Sequence, residues 1–181
     1  FTNLQYLNLD NNPHLKLSNV DWPRLENLRE LKLTRIDMVE VDPLIFRLPS
    51  LEKLDLYRNQ LTEIPHVGLE EIPFNLRHLD LSYNYLTVLP EWMLQLPQVT
   101  KLYLEWNQLR ELPGHIGDLK QLEILHLHGN ELEILPFSMA NLASLKSNQN
   151  PKPHLRGLRL DQNAFTFPLP REVLEREPFE I

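Results

Sequence analysis

The sequence predicts an α/β solenoid of about seven coils, wound right-handed. Parallel strands line its concave face, and short 3₁₀ or α turns line its convex face. Three observations predict this. A nine-residue pattern, L-x-x-L-x-L-x-x-N, recurs seven times, starting at Leu4, Leu28, Leu51, Leu76, Val99, Leu122 and Leu155. The starts lie 23 to 25 residues apart until a last interval of 33. Most copies are followed by an apolar residue and proline, as in Ile64-Pro65, Leu89-Pro90, Leu112-Pro113, Leu135-Pro136 and Leu169-Pro170. A fixed period in this range is the signature of a stacked-repeat architecture.

The first element of each coil is the L-x-L core. Its period of two is that of a short strand with one buried face. One such strand cannot bury its leucines alone. Stacked copies make a parallel sheet with a leucine core behind it. The asparagine comes next. It ends the strand at a bend whose buried backbone groups need partners, and a side-chain amide supplies both donors and an acceptor. Asn12, Asn59, Asn84, Asn107, Asn130 and Asn163 are therefore expected to form an internal ladder. Repeat two carries Ile36 at that position and lacks the rung. Proline fixes φ and suits the first position of a helical turn. The apolar-periodic pieces EWMLQL, GHIGDL and FSMANL then read as convex-side turns.

Two elements break the period. KSNQNPKP, residues 146–153, is polar and Pro-bearing and is expected as an inserted surface loop. REVLEREPF, within 171–181, reads as a short amphipathic capping helix in which Val173, Leu174 and Phe179 cover the last coil. No cap precedes Leu4, and the chain opens at Phe1 without Met, so the single domain 1–181 is expected to be a segment of a longer protein.

These seven copies resemble the leucine-rich-repeat family along nearly the whole length. The period near 23 with Leu-Pro resembles its intracellular subclass, found in Ras-pathway scaffolds, plant relatives and bacterial proteins. The resemblance implies a horseshoe that recognises another protein on its concave face. It also implies a scaffold rather than an enzyme, in the cytoplasm or, for a bacterial protein, delivered into a host cell.

The residues between the leucines point outward from the sheet, and like positions in adjacent coils form columns about 4.8 Å apart. Folding does not call for aromatic side chains there, yet Tyr57, Tyr83, Tyr103 and Trp106 fall in repeats three to five. Tyr, Trp and Arg dominate protein–protein hot spots. Stacking between neighbouring coils would account for the same residues without a partner. The candidate contact set is Asp55, Tyr57, Arg58, Asp80, Tyr83, Tyr103, Glu105, Trp106, His126 and His128. The charges on these columns nearly balance, which suits one patterned partner, though several could instead pair across coils. The two histidines share one strand face, with Glu105 expected beside His128. That set could ligate zinc, but an exposed surface pair or a protonation-sensitive contact is the plainer reading.

Composition removes other classes. A net charge of −7 argues against binding nucleic acid. No apolar run is long enough to span a membrane. Without cysteine there is no disulfide, thiol catalysis or zinc–thiolate site. There is no phosphate-cradling loop and no nucleophile–base spacing. No catalytic residue, metal, cofactor or small-molecule substrate is expected. Two further readings remain: the recognition part of a larger enzyme, such as a bacterial effector ubiquitin ligase or a kinase, and a structural subunit of a large assembly.

Overall fold

The structure is a computed structural model that describes residues 2–145 and 157–165. The expected loop at 146–153 and the capping helix at 171–181 lie outside these residues. Seven strands form one parallel sheet in chain order. They are β1 (Tyr6–Asn8), β2 (Glu30–Lys32), β3 (Lys53–Asp55), β4 (His78–Asp80), β5 (Lys101–Tyr103), β6 (Ile124–His126) and β7 (Leu158–Arg159). The central leucines are in register throughout: Leu7, Leu31, Leu54, Leu79, Leu102, Leu125 and Leu158. Each side chain between the leucines therefore has a counterpart in the same column one coil away.

The asparagine ladder explains how coils are fastened. Asn107 donates to the carbonyls of Leu104 in its own coil (3.1 Å) and Leu81 in the coil before (3.0 Å), and accepts from Leu86 N–H (3.0 Å). Asn59, Asn84, Asn130 and Asn163 repeat this arrangement. The Leu56, Leu81, Leu104 and Leu127 carbonyls consequently each accept from two asparagines. Asn12 departs from the expectation. It is exposed and bonds only within its own coil, to Leu9 and Asp10, because no described coil precedes it. Where the rung is missing, Ile36 is buried and its N–H donates to Asn59 Oδ1 at 3.1 Å.

Each return runs through a 3₁₀ turn, the longest being Pro43–Arg47, Glu91–Gln95 and Phe137–Asn141. Proline stands one position earlier than expected in two of these. Pro90 and Pro136 immediately precede the turn, and their carbonyls accept its first bond from Met93 and Met139. Repeat two keeps proline inside the turn, with Asp42 accepting from Leu44 N–H at 2.9 Å. Phe46 and Trp92, two coils apart, meet edge to face at 5.1 Å beneath the third return. Trp92 is held by donating its indole N–H to the Pro65 carbonyl. Leucines and these rings form one continuous buried core. No helix among the described residues is long and apolar enough to cross a membrane.

Candidate functional site

The outward residues arrange in four columns, and one differs from the rest. The residue just before each ladder position has left-handed backbone: Asn11, Arg35, Arg58, Tyr83, Trp106, Gly129 and Gln162, with φ between 54° and 68°. The strand must leave the sheet there to enter the bend. The N–H groups stay paired while it does so, as in Arg58 to the Ser82 carbonyl (2.9 Å) and Trp106 to the His128 carbonyl (3.0 Å). This conformation lifts the side chain clear of the sheet. Arg35, Arg58, Tyr83 and Trp106 are exposed, whereas Asp55, Tyr57, Asp80, Tyr103 and Glu105 are only partly so. The columns are as expected; the separation of this file from the others was not.

The aromatic residues form two stacks. Tyr57, Tyr83 and Trp106 succeed one another with centroids 5.2 and 5.8 Å apart, and Trp106 reaches His128 at 6.3 Å. Beside them run His78, Tyr103 and His126 at 5.2 and 5.0 Å. Stacking between coils is thus real, but it does not hide the first file: Tyr83 and Trp106 remain 41% and 42% exposed.

The two histidines correct the sequence reading. They were expected as exposed side chains, but His126 and His128 are 3% and 7% exposed. Tyr103 and Trp106 lean over them. Trp106 rests on Gly129, where a Cβ would meet the indole at 2.7 Å. Glu105 Oε1 lies 3.9 Å from His126 Nδ1, whereas His128 was its expected neighbour. No group of three or more metal-ligating side chains converges among the described residues. Burial, with Arg159 nearby, holds the His128 imidazole below its ordinary pKa.

Charges on the face are partly self-paired. Glu30 meets Lys53 at 3.0 Å, and Arg159 meets Asp161 at 3.0 Å. Asp55 accepts from Thr34 Oγ1 at 3.0 Å. Burial pushes Asp80 up to about 7, with Asp55 and Glu105 on the flanking coils adding repulsion against the opposing Ser82 bonds. Burial likewise takes His78 down to about 4, helped by Lys53 and Lys101, and Tyr103 up to about 12.

The Asp80 shift has a measurable sign. The unfolded carboxyl ionises near its ordinary 3.8 and the folded one near 7, so wild-type stability falls as pH rises through that window and is level above it. Asp80→Asn keeps an oxygen for both Ser82 bonds. Its stability advantage is expected to be absent at pH 4 and to reach on the order of 1–3 kcal/mol at pH 8. Urea midpoints at the two pH values check this, and an equal difference at both would refute it.

Three site features were missed in the sequence. Arg35 sits over the Tyr57 ring, 5.7 Å from its centroid. Tyr85 is exposed at the rim, one residue beyond Asn84. Gly129 was the available signal: it is the one glycine in its column, opposite a tryptophan in the coil before.

The family described as Leucine rich repeat matches residues 74–109, and again 50–71 and 121–142. Adenylate cyclase of Schizosaccharomyces pombe is 37% identical over 81 residues, covering 43% of this chain and 5% of the cyclase. A leucine-rich-repeat protein of Leptospira interrogans superimposes with a TM-score of 0.68 at 28% identity, over 83% of this chain and 41% of that one. The leucine-rich-repeat ectodomain of an Arabidopsis thaliana membrane receptor kinase, solved in complex with Casparian strip integrity factor 2, gives 0.65 at 29% identity, over 83% and 20%. The chain thus spans less than half the length of each of these three proteins. Parallel register, the asparagine ladder and these matches agree: this chain carries leucine-rich repeats and folds as a leucine-rich-repeat solenoid.

Proposed function

We propose that the chain is a protein-recognition module that holds a partner on its concave sheet face, with Tyr83 and Trp106 as anchors. One observation carries this. Two large aromatic side chains stand exposed side by side, on backbone that lifts them away from the sheet. Such residues, held by their neighbours before contact, lose little freedom on binding and bury much area. The receptor ectodomain solved with its factor supports the reading by analogy. A chain without cysteine has no need of an oxidising compartment, and the cytoplasm is the compartment we propose. The match inside a cyclase favours a second reading, in which the module is the recognition part of a larger enzyme.

The test is comparative capture. Tyr83→Ala with Trp106→Ala is expected to weaken the true partner by about 100-fold or more, with a cooperative thermal transition retained at a midpoint lowered by the lost ring contacts. Phe137→Ala, at the start of a convex-side turn, is the control. A protein held by wild type and control but not by the double variant, then titrated directly, bears the reading out. Unchanged affinity in that titration rejects it.

A further inference from the structure

Resting on the recognition reading, we infer that the partner offers an extended segment with an acidic residue for Arg35 and Arg58 and an apolar or aromatic residue, about three positions away, for Tyr83 and Trp106. Four consecutive coils contribute one exposed side chain each to the left-handed file, in the order Arg35, Arg58, Tyr83, Trp106. The file is therefore divided into a cationic half and an aromatic half.

The cationic half is free to act. The carboxylates of the adjoining columns are engaged elsewhere. Glu30 faces Lys53, Asp161 faces Arg159, Asp10 accepts from Thr34 N–H, and Asp55 and Asp80 accept from Thr34 and Ser82, while Glu105 stands two coils from Arg58, in the aromatic half. Among the described residues neither Arg35 nor Arg58 has a carboxylate partner. Arg35 is steadied over the Tyr57 ring instead, which leaves its N–H edge available. A cleft of about 380 Å³ opens beside the two guanidinium groups, lined also by Asp37, Asn59, Gln60 and Tyr85. Asp37, the one acid in it, lies 3.6 Å from His14 Nδ1. Two guanidinium groups on adjacent coils match a carboxylate, which accepts paired N–H bonds in its plane. In a chain of net charge −7 the attraction is local to this end of the file and gives the segment a direction.

The spacing follows from strand geometry. Arg58 and Trp106 are two coils apart, about 10 Å at 4.8 Å per coil, which an extended segment covers in about three residues at roughly 3.3 Å each.

The test is selection from a displayed library of random linear peptides against the whole chain. The expected consensus has an acidic residue and an apolar or aromatic residue about three positions apart. A synthetic peptide of that consensus is then titrated. Arg35→Ala with Arg58→Ala is expected to weaken it about tenfold or more, and Tyr83→Ala with Trp106→Ala at least as much. Replacing the peptide's acid by lysine is expected to abolish binding, and Arg58→Glu to recover part of it. No enrichment over blank support, or a consensus without the acid, overturns the inference. A peptide lost with the aromatic variant but indifferent to the arginine variant overturns the acid pairing and leaves the recognition reading standing. Indifference to both variants overturns both.

Discussion

Asn107→Ala is expected to destabilise the protein by about 3–5 kcal/mol. The residue is buried, donates to two leucine carbonyls and accepts from Leu86 N–H. Alanine removes that N–H's partner, because Asn107 Oδ1 is the acceptor it donates to. The carbonyls fare better. Leu81 keeps Asn84, and Leu104 keeps Asn130. The loss is therefore one unsatisfied donor, two weakened acceptors and a small void, each of order 1–2 kcal/mol. Asn12→Ala is the matched comparison. Asn12 bonds only Leu9 and Asp10 in its own exposed coil, so about 1 kcal/mol or less is expected. Urea denaturation of the pair measures the inter-coil part alone. Equal losses would mean that the ladder does not fasten coils together.

Gly117→Ala is expected to cost about 3 kcal/mol or more. Gly117 lies in the turn Ile116–Asp118, against the turn of the following coil, and its N–H donates to Ser138 Oγ at 3.2 Å. An added Cβ would stand 1.8 Å from the Ser138 carbonyl oxygen and 2.6 Å from its carbon. Both are backbone atoms, so no rotamer change relieves the clash and the two returns must move apart. Gly114, three residues earlier, has nothing within 4 Å of the same added carbon. Gly114→Ala is expected to be neutral or stabilising by up to about 1 kcal/mol, through the unfolded chain. Thermal midpoints of the two variants decide it. Similar small shifts would show that the returns yield easily.

The frame of the fold was legible because it is periodic. Period-two leucines fix which side chains face out, and a constant repeat fixes which become column neighbours. Tyr83 beside Trp106 and Asp55 beside Asp80 follow from counting alone. What lay beyond counting depends on size and backbone sign. Trp106 can fold over Gly129 only because that position lacks a Cβ, and this contact helps cover His128. A column reading treats both histidines as exposed, since it knows direction but not what leans across. Among the described residues Asn12 is not an internal rung, because a rung needs a coil on its other side. Phe46 meeting Trp92 depends on the third return leaving room, which no single-coil pattern encodes. Arg35 was absent from the contact set because its value lies in what it lacks, a carboxylate partner among the described residues.

The left-handed file sets two demands against each other. An L-residue with a Cβ pays roughly 1–2 kcal/mol to sit in that backbone region, and glycine does not. Asn11, Arg35, Arg58, Tyr83, Trp106 and Gln162 all carry the strain; Gly129 alone escapes it. Drift toward glycine at these positions would relax each bend while erasing a side chain that a partner can read. Optimised for endurance alone, such a solenoid would become smooth and mute along this edge. Its vocabulary survives only at positions where the chain is least at ease.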